Sequence, residues 1–215
     1  MKKAIASPAP SPEGPAAARL QQILDLSAAE ARAGGHRPPR LIAISKTFAE
    51  ADIRPLIEAV TSSGHRAVMT SADHQSGSDR IAEVAVDLPD GSIIVNVQGD
   101  EPVISPATID RAVEALLKDE AADMSTTCEP ISSLWELLNG NNVKVVVGDN
   151  GHALYFSRSP MPWPREASLR YGGDPNQAIE EEPELLTNFR KHTGLYVYRR
   201  EYLLEFTKMP QTKLE

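Results

Sequence analysis

Cysteine is almost missing from this chain, with Cys128 standing alone. A single thiol excludes an intramolecular disulfide and suits a reducing compartment. Long apolar runs are missing too: nowhere do the roughly 20 apolar residues of a membrane span occur together. The opening Met1-Lys2-Lys3 leads into an Ala, Ser and Pro stretch and not into the apolar core of a secretory signal. These shortages make the cytoplasm the expected location and exclude a membrane partner. Positive charge is the third shortage, since 22 Lys and Arg face 30 Asp and Glu for a net charge of −8. An acidic surface with no basic stripe repels a nucleic-acid backbone, so nucleic acid is not an expected partner. An anionic substrate would need a local cluster of cations inside a cleft.

What is present is ordinary for a folded protein in water: 41% hydrophobic and 24% charged residues in a 215-residue chain, enough for one sizeable core. Residues 1–15, rich in Pro, Ala and Ser, predict a loose tail. Residues 16–34 carry Leu20, Ile23 and Leu24 at helical spacing and close on Gly34-Gly35. Leu41–Ile44 predicts a buried strand, 51–60 a helix, and 65–70 a further strand. The segment 76–88 predicts a helix with Ile81, Val84, Ala85 and Leu88 on one face. The apolar run 93–97 predicts a strand buried on both faces, ending in the polar loop Gln98-Gly99-Asp100-Glu101-Pro102. Ser105 and Pro106 open a helix whose inner face is Ile109, Val113, Leu116 and Leu117. Segments 143–147 and 153–156 flank Gly148-Asp149-Asn150-Gly151, the composition of a hairpin turn. Residues 159–188 show no clear period, as in a long functional loop, and 194–198 and 200–206 predict a last strand and helix. The expected fold is α/β with a mixed sheet.

Ligands of open α/β sheets bind beyond the carboxyl ends of the strands, where Asp100 is expected. A carboxylate there suits a Mg²⁺ ion bridging phosphate oxygens, although Asp after Gly is also common turn chemistry. The run Asp73-His74-Gln75-Ser76-Gly77-Ser78-Asp79-Arg80 places hydroxyls, a glycine and a guanidinium at a helix start, where unpaired N–H groups serve polar ligands. The plainer interpretation is a capped helix with a solvated arginine. A third cluster, Phe156-Ser157-Arg158 with Lys191-His192-Thr193-Gly194-Leu195-Tyr196, offers Arg158 and His192 to grip a carboxylate, unless His192 is a capped loop residue and Tyr196 simply core.

Four phrases, D-H-Q-S-G-S-D-R, V-N-V-Q-G-D-E-P, A-L-Y-F-S-R and H-T-G-L-Y-V-Y, stand here in order. From about residue 60 to 215 the chain resembles the 3-deoxy-manno-octulosonate (Kdo) cytidylyltransferase family. The resemblance implies a Rossmann-like nucleotide-diphospho-sugar transferase fold, CTP and Kdo as substrates, and CMP-Kdo and pyrophosphate as products for lipopolysaccharide assembly. It implies Asp100 as a catalytic Mg²⁺ ligand, Ser76, Gly77 and Arg80 near the nucleotide, and Gln98, Arg158, His192 and Tyr196 facing the sugar acid. A homodimer is the expected assembly.

The family's opening loop, of the form R-x-x-S-x-R-L-P-G-K-P, is not found in this sequence, and Lys213-Leu214-Glu215 precedes the family's C-terminal strands and second metal-binding Asp. The expected fold is therefore incomplete at both ends. If each absent contact is worth roughly 3 to 4 kcal/mol, losing two is expected to slow turnover on the order of 10⁴-fold or more. Residues 16–59, with Ala43-Ile44-Ser45-Lys46, instead resemble the start of YggS-type pyridoxal-phosphate homeostasis proteins. That likeness implies a foreign β-α unit joined near residue 60 and, as an alternative function, pyridoxal phosphate held on Lys46. A third reading is an inactive interaction protein that pairs with a full-length homologue.

Overall fold

The structure is a computed structural model that describes Arg54, Ile57, Glu58, Val60 to Ser62, and residues 66–98 and 104–210. The described residues fall into two compact units, the first made of those up to Met124 with those from Val197 onward, the second of Ser125–Tyr196. The expectations for residues 1–53, including Lys46, lie outside the described residues. Of the helix expected over 51–60, the described residues Arg54, Ile57, Glu58 and Val60 are helical.

In the first unit α1 (Gly77–Ala85) starts at a reciprocal cap. The Ser76 hydroxyl accepts from the Asp79 N–H at 3.1 Å, and the Asp79 carboxylate accepts from the Ser76 N–H at 2.8 Å. Ala82, Val84 and Ala85 form its buried apolar face, joined by Arg80. Strand β1 (Ile93–Asn96) follows a turn in which Gly91 takes φ +75°, and α2 (Pro106–Lys118) follows the undescribed loop. Strand β1 buries only Ile94, so it is not the doubly covered strand that its apolar run predicts. Helix α2 buries Ala112 and Leu116 and leaves Leu117 55% exposed. One residue past Leu116 lies ~100° around the helix, off the Ala112–Leu116 stripe. Residues 66–70 form no strand; no described strand offers them a ladder, and side chains of α1 hold Thr70 and Ser71 instead.

Strand β2 (Met124–Pro130) and strand β5 (Arg190–Arg199) run through both units, and α6 (Arg200–Phe206) spans the residues expected of it. Arg199 and Arg200 each close a helix end in the first unit. The Arg199 guanidinium donates to the carbonyls of Leu116, Asp119 and Ala122 at 2.9 to 3.2 Å, beyond α2. Arg200 donates to the carbonyls of Ala85 and Val86 at 2.8 Å, beyond α1, and to Asp90 at 2.8 Å. Helix α1 has no basic residue in its last turn, so Arg200 supplies the cation that its C-terminal dipole favours.

The second unit is built on Ile131, Leu137, Ile179 and Phe189, with Leu134, Leu185 and Leu186 packed around them. Leu137 comes from α3 (Leu134–Leu138), which the Ser133 hydroxyl caps at 3.1 Å. Strands β3 (Lys144–Val147) and β4 (Ala153–Ser157) form the expected antiparallel hairpin, closed where Gly148 N–H meets the His152 carbonyl at 2.9 Å and Gly151 takes φ +81°. Strand β5 pairs with β3 antiparallel, Lys144 opposite Lys191, and is longer than the 194–198 that its apolar residues predict. The stretch 159–188, expected as irregular loop, holds α4 (Arg165–Arg170), α5 (Pro175–Glu181) and a 3₁₀ turn (Pro183–Asn188). Asp174 caps α5 by accepting from Asn176 and Gln177, with Pro175 at the first helical position.

Fully buried Leu137 and 75%-exposed Trp135 lie on the same short helix. Leu137→Ala is expected to cost about 2 to 5 kcal/mol. Trp135→Ala should stay within about 0.5 kcal/mol, since it empties no core position. Urea midpoints of the two variants check the contrast.

Candidate functional site

The first group of expected site residues surrounds the start of α1. Ser76 and Gly77 stand at the helix entry, and the Ser76 hydroxyl both accepts from Asp79 N–H and donates to the Asp79 carboxylate at 2.7 Å. Arg80 is not the solvated arginine of the plainer interpretation; it is 7% exposed. Its Nη1 donates to the Ser71 carbonyl at 2.6 Å and to Thr70 Oγ1 at 3.2 Å. Its Nε is buried with no hydrogen-bond partner. A buried donor left unpaired costs about 1 to 3 kcal/mol, a cost that a bound acceptor would relieve. Glu83, one turn on, accepts from the Ser71 N–H at 3.0 Å and contacts the His74 ring at Nε2. Gln98 is half-buried just past β1, and Asp100 lies outside the described residues.

The second unit carries Arg158, His192 and Tyr196. The His192 ring packs edge-on to Phe156 with centroids 5.3 Å apart and is tilted on Tyr196 at 5.1 Å. Thr126 Oγ1 lies 2.6 Å from His192 Nε2 and 2.6 Å from the Leu195 carbonyl. A carbonyl only accepts, so the single threonine proton goes to Leu195 and His192 donates its Nε2 proton to Thr126. That assignment leaves Nδ1 as the ring's acceptor. Burial pushes the His192 pKa down, which keeps the ring neutral near pH 7. His192 thus brings no positive charge, and of the expected pair only Arg158 does. The Arg158 side chain is exposed, and its Nη1 donates to the Gly140 carbonyl at 2.8 Å.

Three further groups escape the sequence patterns. Lys144 is wholly buried and its ammonium donates to the carbonyls of Asn139, Asn142 and Arg158, each at 2.9 Å. It fixes the 139–142 turn against the end of β4, where Arg158 follows. Thr126 sets the His192 proton, as above. Lys191 pairs with Glu129 at 2.7 Å and with Glu136, whose carboxylate also takes the Ser132 N–H at 2.8 Å. The Lys191 ammonium first, and the Ser132 amide second, hold the Glu136 carboxyl down at about 2.

Known proteins share this arrangement of elements. The solved structure of CMP:2-keto-3-deoxy-manno-octonic acid synthetase complexed with CTP superposes with a TM-score of 0.67 and 30% identity, covering 93% of this chain and 69% of that one. The sequence model of the cytidylyltransferase family matches residues 42–215. The 3-deoxy-manno-octulosonate cytidylyltransferase of Geobacter sulfurreducens is 45% identical over 179 residues, 83% of this chain and 69% of its own length. This chain belongs to the Kdo cytidylyltransferase family. The enzyme of the same name from Trichlorobacter lovleyi is 44% identical over 174 residues, 80% of this chain and 66% of its own. The chain therefore spans about two thirds of the length of these cytidylyltransferases. Its fold is the α/β fold of the CMP-Kdo synthetase, and the family match takes in residues 42–59, upstream of the four phrases.

Glu136 generates a pH prediction. Its folded pKa lies below the ordinary 4.5, so its contribution to stability is complete above about pH 4.5 and is lost as pH falls toward about 2. The melting midpoint of Glu136→Gln is expected below that of the parent near neutral pH, with the gap closing across that window. Paired thermal melts down the pH series check it.

Proposed function

We propose that this chain carries nucleotide- and sugar-acid-binding parts of a 3-deoxy-manno-octulosonate cytidylyltransferase, the reaction that forms CMP-Kdo and pyrophosphate from CTP and Kdo for lipopolysaccharide assembly. The observation that carries the proposal is the buried Arg80 guanidinium in the first turn of the Ser76-capped helix α1, whose Nε–H has no hydrogen-bond partner. Relatives named for this reaction share 44–45% identity with the chain, which supports the same substrates.

In this reading Ser76, Gly77 and Arg80 serve the nucleotide, through the helix-entry amides and the remaining donors of the guanidinium. Gln98, Arg158, His192 and Tyr196 serve the sugar acid. Arg158 meets the carboxylate, neutral His192 offers a hydrogen-bond acceptor to a hydroxyl, and Tyr196 supplies an aromatic wall. The Kdo anomeric oxygen attacks the α-phosphorus of CTP as the bond to the bridging oxygen of pyrophosphate breaks. The hydroxyl proton leaves to solvent. Positioning and charge neutralisation do most of this work.

Mg²⁺ suits the donor chemistry available, because a hard carboxylate oxygen from Asp100 with phosphate oxygens and water makes a normal magnesium shell. When bound, the ion neutralises charge on the triphosphate. We place the reaction in the cytoplasm, in keeping with the lone Cys128; no helix among the described residues is long and apolar enough to cross a membrane. The exposed Leu154 and Tyr155 of β4 suit a homodimer.

Phosphorus NMR of purified chain with CTP, Kdo and Mg²⁺ is the test, with pyrophosphate release and the new phosphodiester signal as readouts. Arg80→Lys is expected to weaken CTP binding at least about tenfold, since an ammonium does not reproduce the fork of donors. Asp100→Ala is expected to abolish the dependence on Mg²⁺. A folded chain that neither binds CTP nor makes CMP-Kdo sinks the proposal.

A further inference from the structure

The loop before α1 is held from the helix by two side chains three residues apart. Arg80 and Glu83 share a face of α1. Between them they take both backbone polar groups of Ser71: the Arg80 Nη1 donates to its carbonyl at 2.6 Å, and the Glu83 Oε2 accepts from its N–H at 3.0 Å. The same Glu83 oxygen meets the His74 ring. The loop's remaining polar groups close on each other. Ser71 Oγ accepts from the Asp73 N–H at 3.2 Å, the Gln75 amide donates to the Asp73 carbonyl at 3.2 Å, and Ser76 is locked by the helix cap.

Nothing in the sequence marks Glu83 as more than an exposed helical carboxylate, and its side chain is 40% accessible. Its contacts say otherwise. A purely solvated glutamate has no reason to hold a backbone amide twelve residues away and a histidine nine residues away. The His74 ring and the Ser71 amide keep its carboxyl below the usual range, so it remains an acceptor at neutral pH.

We propose that Glu83, acting through Ser71 and His74, is a positioning residue for nucleotide binding: with Arg80 it clamps the Ser71 peptide and holds residues 71–76 in the form that presents Ser76, Gly77 and the Arg80 guanidinium to CTP. The inference rests on the nucleotide reading above. Without the clamp the loop is free to move, and the ligand must spend binding energy on ordering it. Supporting contacts of this kind are typically worth tenfold or more to the site they hold.

The test is isothermal titration of the full chain with CTP and Mg²⁺, comparing the parent with Glu83→Ala and Glu83→Gln at a temperature where circular dichroism shows each to be folded. Glu83→Ala is expected to weaken CTP binding about tenfold. Glu83→Gln should restore most of the loss, because its amide oxygen still accepts from the Ser71 N–H. His74→Ala, which removes the other partner of the same oxygen, should weaken binding several-fold and stands in where Glu83→Ala does not fold. Unchanged affinity in the alanine variants, or a glutamine variant as weak as alanine, overturns the inference and leaves the nucleotide reading intact. A folded parent chain that binds no CTP overturns the nucleotide reading, and the inference with it.

Discussion

Cationic side chains seated on backbone carbonyls recur at several helix ends and turns among the described residues. Arg200 closes α1, Arg199 closes α2, Lys144 gathers three carbonyls of the 139–142 turn and the end of β4, and Arg80 takes the carbonyl of Ser71. The physics is the same each time. A carbonyl at a helix end or turn has lost its ladder partner, and a buried ammonium or guanidinium needs acceptors to offset its desolvation. Each group removes the other's penalty. The pairing sets positions as well, because a planar guanidinium reaching two or three carbonyls accepts few geometries.

That constraint reaches the candidate site directly. The anchored Arg80 gives the loop before α1 one defined path, and the helix-entry groups of Ser76 and Gly77 are placed by the Ser76–Asp79 cap. In the second unit Lys144 seats the carbonyl of Arg158, so the exposed guanidinium of Arg158 projects from a fixed backbone. His192 is set by a different device. Thr126 passes its own proton to Leu195 and so fixes which ring nitrogen of His192 carries a proton, while Phe156 and Tyr196 flank the ring. Within each unit the candidate groups are thus held by fixed backbone partners, which suits a reaction that depends on positioning more than on covalent participation by the protein.

Much of this was legible in the sequence, and the failures have physical reasons. Helix α6, the β3–β4 hairpin and the Ser76 cap carry strong local signals: a run of helix formers, a Gly-Asp-Asn-Gly turn, and a hydroxyl three residues before an aspartate. Helices α4 and α5 span only 6 and 7 residues, too short to show a period, and burial of Ala167, Ala178 and Ile179 is what sustains them. Residues 66–70 look like a strand because Ala67, Val68 and Met69 are apolar, yet a strand exists only with a partner. The candidate site residues stand out as phrases, whereas their hydrogen-bond partners do not. A lysine heading Lys-Val-Val-Val looks solvated, and only the fold shows Lys144 buried on three carbonyls. Likewise no pattern announces that Glu83 reaches back to Ser71.

The Arg80 Nε–H is a buried donor with no hydrogen-bond partner, and under the proposed nucleotide reading it is the group to watch. Nitrogen-detected NMR of that group, with the amides of Ser76 and Gly77, during titration with CTP and Mg²⁺ is the direct measurement. Nucleotide binding at the start of α1 requires all three signals to move together and to saturate with the same dissociation constant. Saturable CTP binding that shifts signals elsewhere and leaves these three in place would contradict it.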